Sequence, residues 1–364
     1  MRRLCELVSD SKRVFAGGVG IVMLALSTGC ATTETSISTP AMFAESTTDT
    51  SSIRHGQGRY VVSRAPWTFE GSAGEVIETT TYRILTTLRP GLLLDRLPIF
   101  VESAIAAYTG SFGVLPAPSQ RLETYVLATR PQWARLTESL MRERAGVYLR
   151  IQRGGYAADG RGVYFDIGVQ DTLAIAAHEG WHQYTQTTFR DRLPIWLEEG
   201  IAAYMEGYRW DTLSDRPVFL PWSNVERYDA LRSARESGKL MPLEALLVSE
   251  PGALLDRSAS DPLVYYAQVW ALVHWLRESD GGVWRASLER LLSDAAVGRM
   301  GQVVPMRVGS GQSGGRAMRS TAVFRTYFTD DMESASDSYR RFVERITRPG
   351  GKDLVVLGRS PYSG

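Results

Sequence analysis

The spacing of apolar positions changes once along this chain. From about residue 59 to residue 170, strand-like stretches alternate with helical ones. Glu78 to Leu88 (ETTTYRILTTL) is rich in Thr, Tyr and Ile and reads as one strand. Leu93, Leu97, Phe100, Val101, Ile105 and Tyr108 recur at helical spacing and predict a helix over Leu92 to Tyr108. Leu122 to Ala128 alternates as a strand, Pro131 opens a short helix through Leu140, and Gly162 to Ile167 (GVYFDI) forms another short strand. After residue 170 the period is helical. Asp171 is expected to cap a helix running to about Thr187. Pro194 is expected as the first residue of a helix ending near Gly207, and Asp261-Pro262 should start one that Gly281-Gly282 stops. Residues 298 to 315 hold six Gly in 18 positions and read as a mobile loop; an amphipathic helix over Ala335 to Ile346 follows. No internal repeat is visible.

The first 58 residues have neither period. Val14 to Leu26 is an apolar run of 13 residues behind Arg2, Arg3, Lys12 and Arg13. A bilayer span needs about 20 residues, so this run suits a signal peptide instead. It ends in Leu26-Ser27-Thr28-Gly29-Cys30, which resembles the lipobox of bacterial lipoproteins, with Ser27 where Leu is usual. The resemblance implies cleavage after residue 29, lipidation of Cys30, and a lipid-anchored protein on the periplasmic or extracellular face of the bacterial cell envelope. Residues 31 to 52 contain 12 Ser or Thr in 22 positions. They cannot bury enough apolar surface to offset ordering, so residues 30 to 58 read as a flexible tether. Cys5 and Cys30 are the only cysteines, so no disulfide framework is expected. With 41 basic and 40 acidic residues, the chain lacks the basic excess of a nucleic-acid binder.

The chemistry concentrates after residue 170. His178-Glu179-Gly180-Trp181-His182 is an H-E-x-x-H string. On a helix the two His lie on one face, close enough to bind one metal ion, and Glu179 sits one step round as a base for an activated water. The string Trp196-Leu197-Glu198-Glu199-Gly200-Ile201-Ala202-Ala203-Tyr204, whose Glu199 lies seventeen residues beyond His182, resembles the second helix of the gluzincins, the thermolysin-like zinc peptidases. The spacing is two residues shorter than in gluzincin aminopeptidases. The resemblance implies Glu199 as third ligand to one Zn²⁺ per chain. It also implies a zincin-like α+β fold, with a sheet subdomain (59–170), a helical zinc subdomain (171–348) and a tail (349–364). Tyr265-Tyr266-Ala267-Gln268-Val269 is similar to the Y-x-K-G helix of those aminopeptidases, with Gln268-Val269 in place of Lys-Gly. By that alignment Tyr266 stabilises the oxyanion; the bland reading of both tyrosines is aromatic core.

On a helical wheel Glu199, Ala202, Ala203 and Glu206 share a face, while Glu198 falls between that face and the core side. Glu206 is thus a candidate to hold a ligand imidazole, or else a solvated carboxylate. His274 reads as a core histidine and His55 as an inert tether residue. Gly311-Gln312-Ser313-Gly314-Gly315 fits G-x-S-x-G, but no His follows to complete a triad, so it is rejected. No G-x-M-E-N string, which reads a free substrate N-terminus in gluzincin aminopeptidases, is present. The expected activity is therefore an endopeptidase acting on a peptide or protein, with Gly162 to Ile167 as an edge strand for the substrate. Two other readings stand beside it: a catalytically silent envelope scaffold, or a zinc hydrolase of a non-peptide amide.

Overall fold

The computed structural model describes residues 60–251, 254, 261–304 and 312–363. Cys30, His55, the signal-like segment and the tether lie outside the described residues, as does Gly311. The architecture is α+β: a six-stranded mixed sheet followed by a mainly helical region. The strands are β1 (Val61–Phe69), β2 (Ser72–Thr79), β3 (Tyr82–Thr86), β4 (Leu122–Leu127), β5 (Gly155–Ala158) and β6 (Arg161–Phe165). Their order is β1-β2-β3-β4-β6-β5, with β3, β4 and β6 mutually parallel and the other pairs antiparallel. Helices α1 (Leu92–Gly110) and α2 (Arg130–Met141) make the crossovers between the parallel strands, and α3 (Ala145–Tyr148) is a single turn before β5.

Two expectations in the sheet need correcting. Glu78 to Leu88 is two strands, because the chain turns back between Thr79 and Tyr82. The carboxylate of Glu102 on α1 stabilises that turn by accepting from Thr79 Oγ1 (2.5 Å), Thr81 N (2.7 Å) and Thr81 Oγ1 (3.0 Å). A run of three Thr looks like strand until a distant acceptor captures it. The second correction concerns Gly162 to Ile167. The strand there, β6, is paired on both sides, by β4 and β5, so it is not an edge. The edge next to the helical region is β5, whose four residues are all buried.

The helical region carries α4 (Val169–Thr188), α5 (Ile195–Met205), α6 (Val225–Glu236), α7 (Leu243–Val248) and α8 (Asp261–Glu278). A hairpin of β7 (Tyr208–Asp211) and β8 (Arg216–Phe219) interrupts it, and α9 (Arg285–Val297), α10 (Met300–Val303), α11 (Gln312–Tyr327), α12 (Met332–Ile346) and α13 (Gly351–Val356) complete it. Among the described residues no helix is long and apolar enough to cross a membrane. Asp171 does not cap α4. The helix starts after Gly168, whose φ of 103° only glycine adopts without strain, and Asp171 sits in the first turn paired with Arg153 at 2.8 Å. Pro194 stands just before α5, where its carbonyl accepts from Leu197 N and Glu198 N. The stretch read as a loop over 298 to 315 contains α10 and the start of α11. The stretch read as a tail contains α13, with Val355 buried.

One continuous core joins the sheet to the helices, including Ile77, Ile84, Tyr108, Trp181, Leu197 and Trp275. Helix α4 is its axis. Gln183, buried in its C-terminal half, donates to Glu123 O (2.6 Å) and Gly160 O (3.0 Å) and accepts from Thr124 Oγ1 (2.9 Å), which ties α4 to the sheet. Tyr108 on α1 donates to Ala177 O at 2.6 Å, and a Cβ on Gly180 would lie 2.7 Å from the same hydroxyl. Glycine between Glu179 and Trp181 is what lets α1 pack this close.

Candidate metal centre

The four-residue step from His178 to His182 places both imidazoles on one face of α4, 5.0 Å apart between ring centroids. That face is dry: His178 is 0% exposed, His182 3% and Glu199 4%. Glu199 reaches it from α5, with Oε2 at 3.4 Å from His178 Nε2 and 3.4 Å from His182 Nε2. None of these three atoms has a hydrogen bond of good geometry, nor has either carboxylate oxygen of Glu179, although the backbone of Ala157 comes near enough to favour that carboxylate's charge. Buried polar atoms without partners are rare enough to need a cause. The spacing is one that suits a small metal ion, because ligand bonds of ~2.0–2.2 Å meeting at tetrahedral angles hold N and O atoms about 3.4 Å apart. His178, His182 and Glu199 form a buried group that could hold a metal ion.

Each histidine is aimed from behind. His178 Nδ1 lies 2.8 Å from Glu206 Oε1. Glu206 also accepts from Asn224 Nδ2 (2.8 Å), Arg227 Nε (3.0 Å) and Arg227 Nη2 (2.8 Å). His182 Nδ1 lies 3.0 Å from Glu198 Oε1, which also takes the Thr185 hydroxyl at 2.6 Å. Ionised carboxylates only accept, so they keep the proton on Nδ1 and turn each Nε2 lone pair towards Glu199. The wheel left Glu198 without a task, and the structure corrects this: a residue between two faces reaches His182 because α5 crosses α4 just there. Asn224 and Arg227 were also missed. Asn224 was legible as a helix cap, and it does accept from Arg227 N. Arg227 lies in an ordinary charged helix, VERYDALRSARE, and gave no signal.

The electrostatics favour positive charge at this spot. Burial alone would push the carboxyl of Glu199 up, but His182 and His178 outweigh it and hold the group at about 2. Glu206 is likewise raised by burial and brought to about 2 by Arg227 and His178. Burial disfavours a charged imidazole, yet Glu199 and Glu206 still raise the proton affinity of His178. His182 is raised well above its usual range by Glu199 and Glu198 against the same penalty. Glu179 differs: burial dominates, and its carboxyl rises to about 7.

Helix α8 closes the site. It crosses α5 at Gly200, where a Cβ would lie 2.7 Å from Val269 O and 2.9 Å from Val273 Cγ2. The close crossing brings Tyr265 and Tyr266, both fully buried, near Glu199. Burial, then the charge of Glu199, raises the ionisation of both phenols well above the usual range, so both stay protonated. The Tyr266 ring stands edge-on to His178, 6.1 Å between centroids. The Tyr265 hydroxyl is buried without a hydrogen-bond partner. Gln268, where the resemblance has Lys, exchanges hydrogen bonds with Met241 N (2.8 Å) and O (3.0 Å) and so pins the chain ahead of α7. His274 lies apart, stacked on Trp222 at 3.7 Å.

A family model described as "Protein of unknown function (DUF1570)" matches residues 172–294, a span that runs from α4 into α9 and includes His178, Glu179, His182, Glu199, Glu206 and Tyr266. No curated protein matches the chain.

Proposed function

We propose that this chain is a zinc-dependent hydrolase of peptide bonds, an endopeptidase, on a zincin-like fold of the gluzincin type. The observation that carries the reading is the convergence of three buried donors without a well-formed hydrogen bond, His178 Nε2, His182 Nε2 and Glu199 Oε2, beside the buried carboxylate of Glu179. Two His and one Glu are the donors of an open, catalytic zinc site. Zinc held there supplies a Lewis acid that acidifies water and polarises a carbonyl oxygen.

The protein's own groups do the rest. Glu198 and Glu206 hold the two imidazoles in the tautomer that presents Nε2. Glu179, a carboxylate that burial makes more basic, takes a proton from water and returns it to the leaving amine. Tyr266, kept protonated, donates to the oxyanion as charge develops. The lipobox-like ending at Cys30 extends the proposal to place: a lipid anchor at the bacterial cell envelope, with the Ser/Thr-rich tether holding the folded part off the membrane.

Metal analysis of the mature chain and of Glu179→Gln, followed by a peptide-library cleavage assay, tests this. One zinc per chain is expected in both proteins, with turnover lower by about 10²–10⁴-fold in the variant. Wild-type turnover in Glu179→Gln, or iron in place of zinc, overturns the reading.

A further inference from the structure

Arg227 is a buried cation that the reaction above leaves without a task. Its helix, α6, is charged along most of its length, yet Arg227 itself is 2% exposed. Nε donates to Glu206 Oε2 at 3.0 Å and Nη2 to Glu206 Oε1 at 2.8 Å, the paired geometry that suits a planar guanidinium. The other side of the same group covers Tyr266, with Cζ 5.1 Å from the ring centroid. Glu206 is bonded to His178, and His178 stands edge-on to Tyr266. His178, Glu206, Arg227 and Tyr266 thus close a circuit of four contacts, drawn from α4, the end of α5, α6 and α8.

We propose that Arg227 is a positioning residue that sets His178 and Tyr266 relative to each other. Its fork holds Glu206 against the back of the imidazole while its face holds the phenol ring. The inference rests on the metal reading of His178, His182 and Glu199 and on the assignment of Tyr266. The rival account is that Arg227 only neutralises a buried carboxylate. A lysine would serve that purpose, because it keeps the charge. It cannot supply two parallel N–H groups and a flat face at once.

Arg227→Lys therefore separates the two accounts. Three measurements are made on wild type and variant: the zinc dissociation constant by chelator competition, the visible spectrum with Co²⁺ in place of zinc, and kcat and KM. Zinc binding weaker by about 10–100-fold, the usual loss when a group behind a ligand is removed, is expected. A shifted cobalt spectrum and a lower kcat at unchanged KM should accompany it. The kcat loss should shrink in a Tyr266→Phe background, because the two residues act through one contact. If Arg227→Lys does not fold, the pair Glu206→Gln with Arg227→Gln is compared with Glu206→Gln alone. It removes both charges and keeps an acceptor for His178, so the same loss of zinc affinity relative to the single variant is expected. Zinc affinity and spectrum equal to wild type in Arg227→Lys, or equal to Glu206→Gln in the pair, overturn the inference while the metal reading survives. A wild type that takes up no zinc sinks both.

Discussion

His274 and the pair His178 and His182 are equally buried, and each has an Nε2 atom without a hydrogen bond of good geometry. They nevertheless titrate in opposite directions. His274 is stacked on Trp222 and packed against Trp270 and Tyr204, with ring centroids at 3.7, 4.8 and 4.7 Å. Burial dominates there and lowers its pKa, although Glu278 lies 3.2 Å from Nδ1. His178 faces Glu199 and Glu206, His182 faces Glu199 and Glu198, and these carboxylates outweigh the same burial. An orphaned imidazole nitrogen is therefore a weak sign of a metal site. Convergence of several such atoms, in carboxylate company, is what separates a candidate ligand from a core ring.

The largest effect that could break this comparison is loss of the metal. His182→Ala and Glu199→Ala should each abolish stoichiometric zinc, whereas His274→Gln should keep one zinc per chain and lower only thermal stability. Metal analysis after dialysis checks it, and zinc lost from His274→Gln would erase the distinction. The two tyrosines come next. Tyr266→Phe should lower kcat by about 10²–10³-fold with zinc retained, the usual loss for one oxyanion donor. The larger loss in Tyr265→Phe would transfer the role to the phenol that lacks a partner. Smaller again is Glu198→Ala, which should weaken zinc by about 10–100-fold because His182 loses its acceptor. An unchanged dissociation constant would make that hydrogen bond incidental.

The smallest effect is on stability against pH. The folded pKa of His274 lies below its unfolded value of about 6.5, so the unfolded chain binds the proton more readily. Stability from this residue is present above pH ~6.5 and is lost as the pH falls below it. In metal-free buffer, His274→Gln should lose less in Tm between pH 7.5 and 5.5 than wild type. An equal or steeper loss would mean that the ring is not held neutral.

Local periodicity made α1, α4, α5 and α8 legible to within a few residues, since their apolar faces repeat within a single helix. It failed where distant groups intervene. The Thr run from Thr79 to Thr81 turns only because Glu102 on α1 receives it. Strand β1 was invisible because most of its residues are exposed and no alternation marks it. Arg227 was missed because nothing local distinguishes a buried arginine from its solvated neighbours.

By itself the sequence determined that His178, Glu179 and His182 lie on adjacent faces of one helix, because an i, i+4 step is a property of helical geometry. With the gluzincin resemblance it singled out Glu199. Tertiary structure alone decided what stands behind these candidate ligands. Glu206 lies 28 residues from His178, and Arg227 another 21 from Glu206. Such partners meet only where α4, the end of α5 and α6 come together, while Gly180 and Gly200 separately let α1 onto α4 and α8 onto α5. Likewise, β5 rather than β6 became the edge strand through pairings that no local pattern encodes.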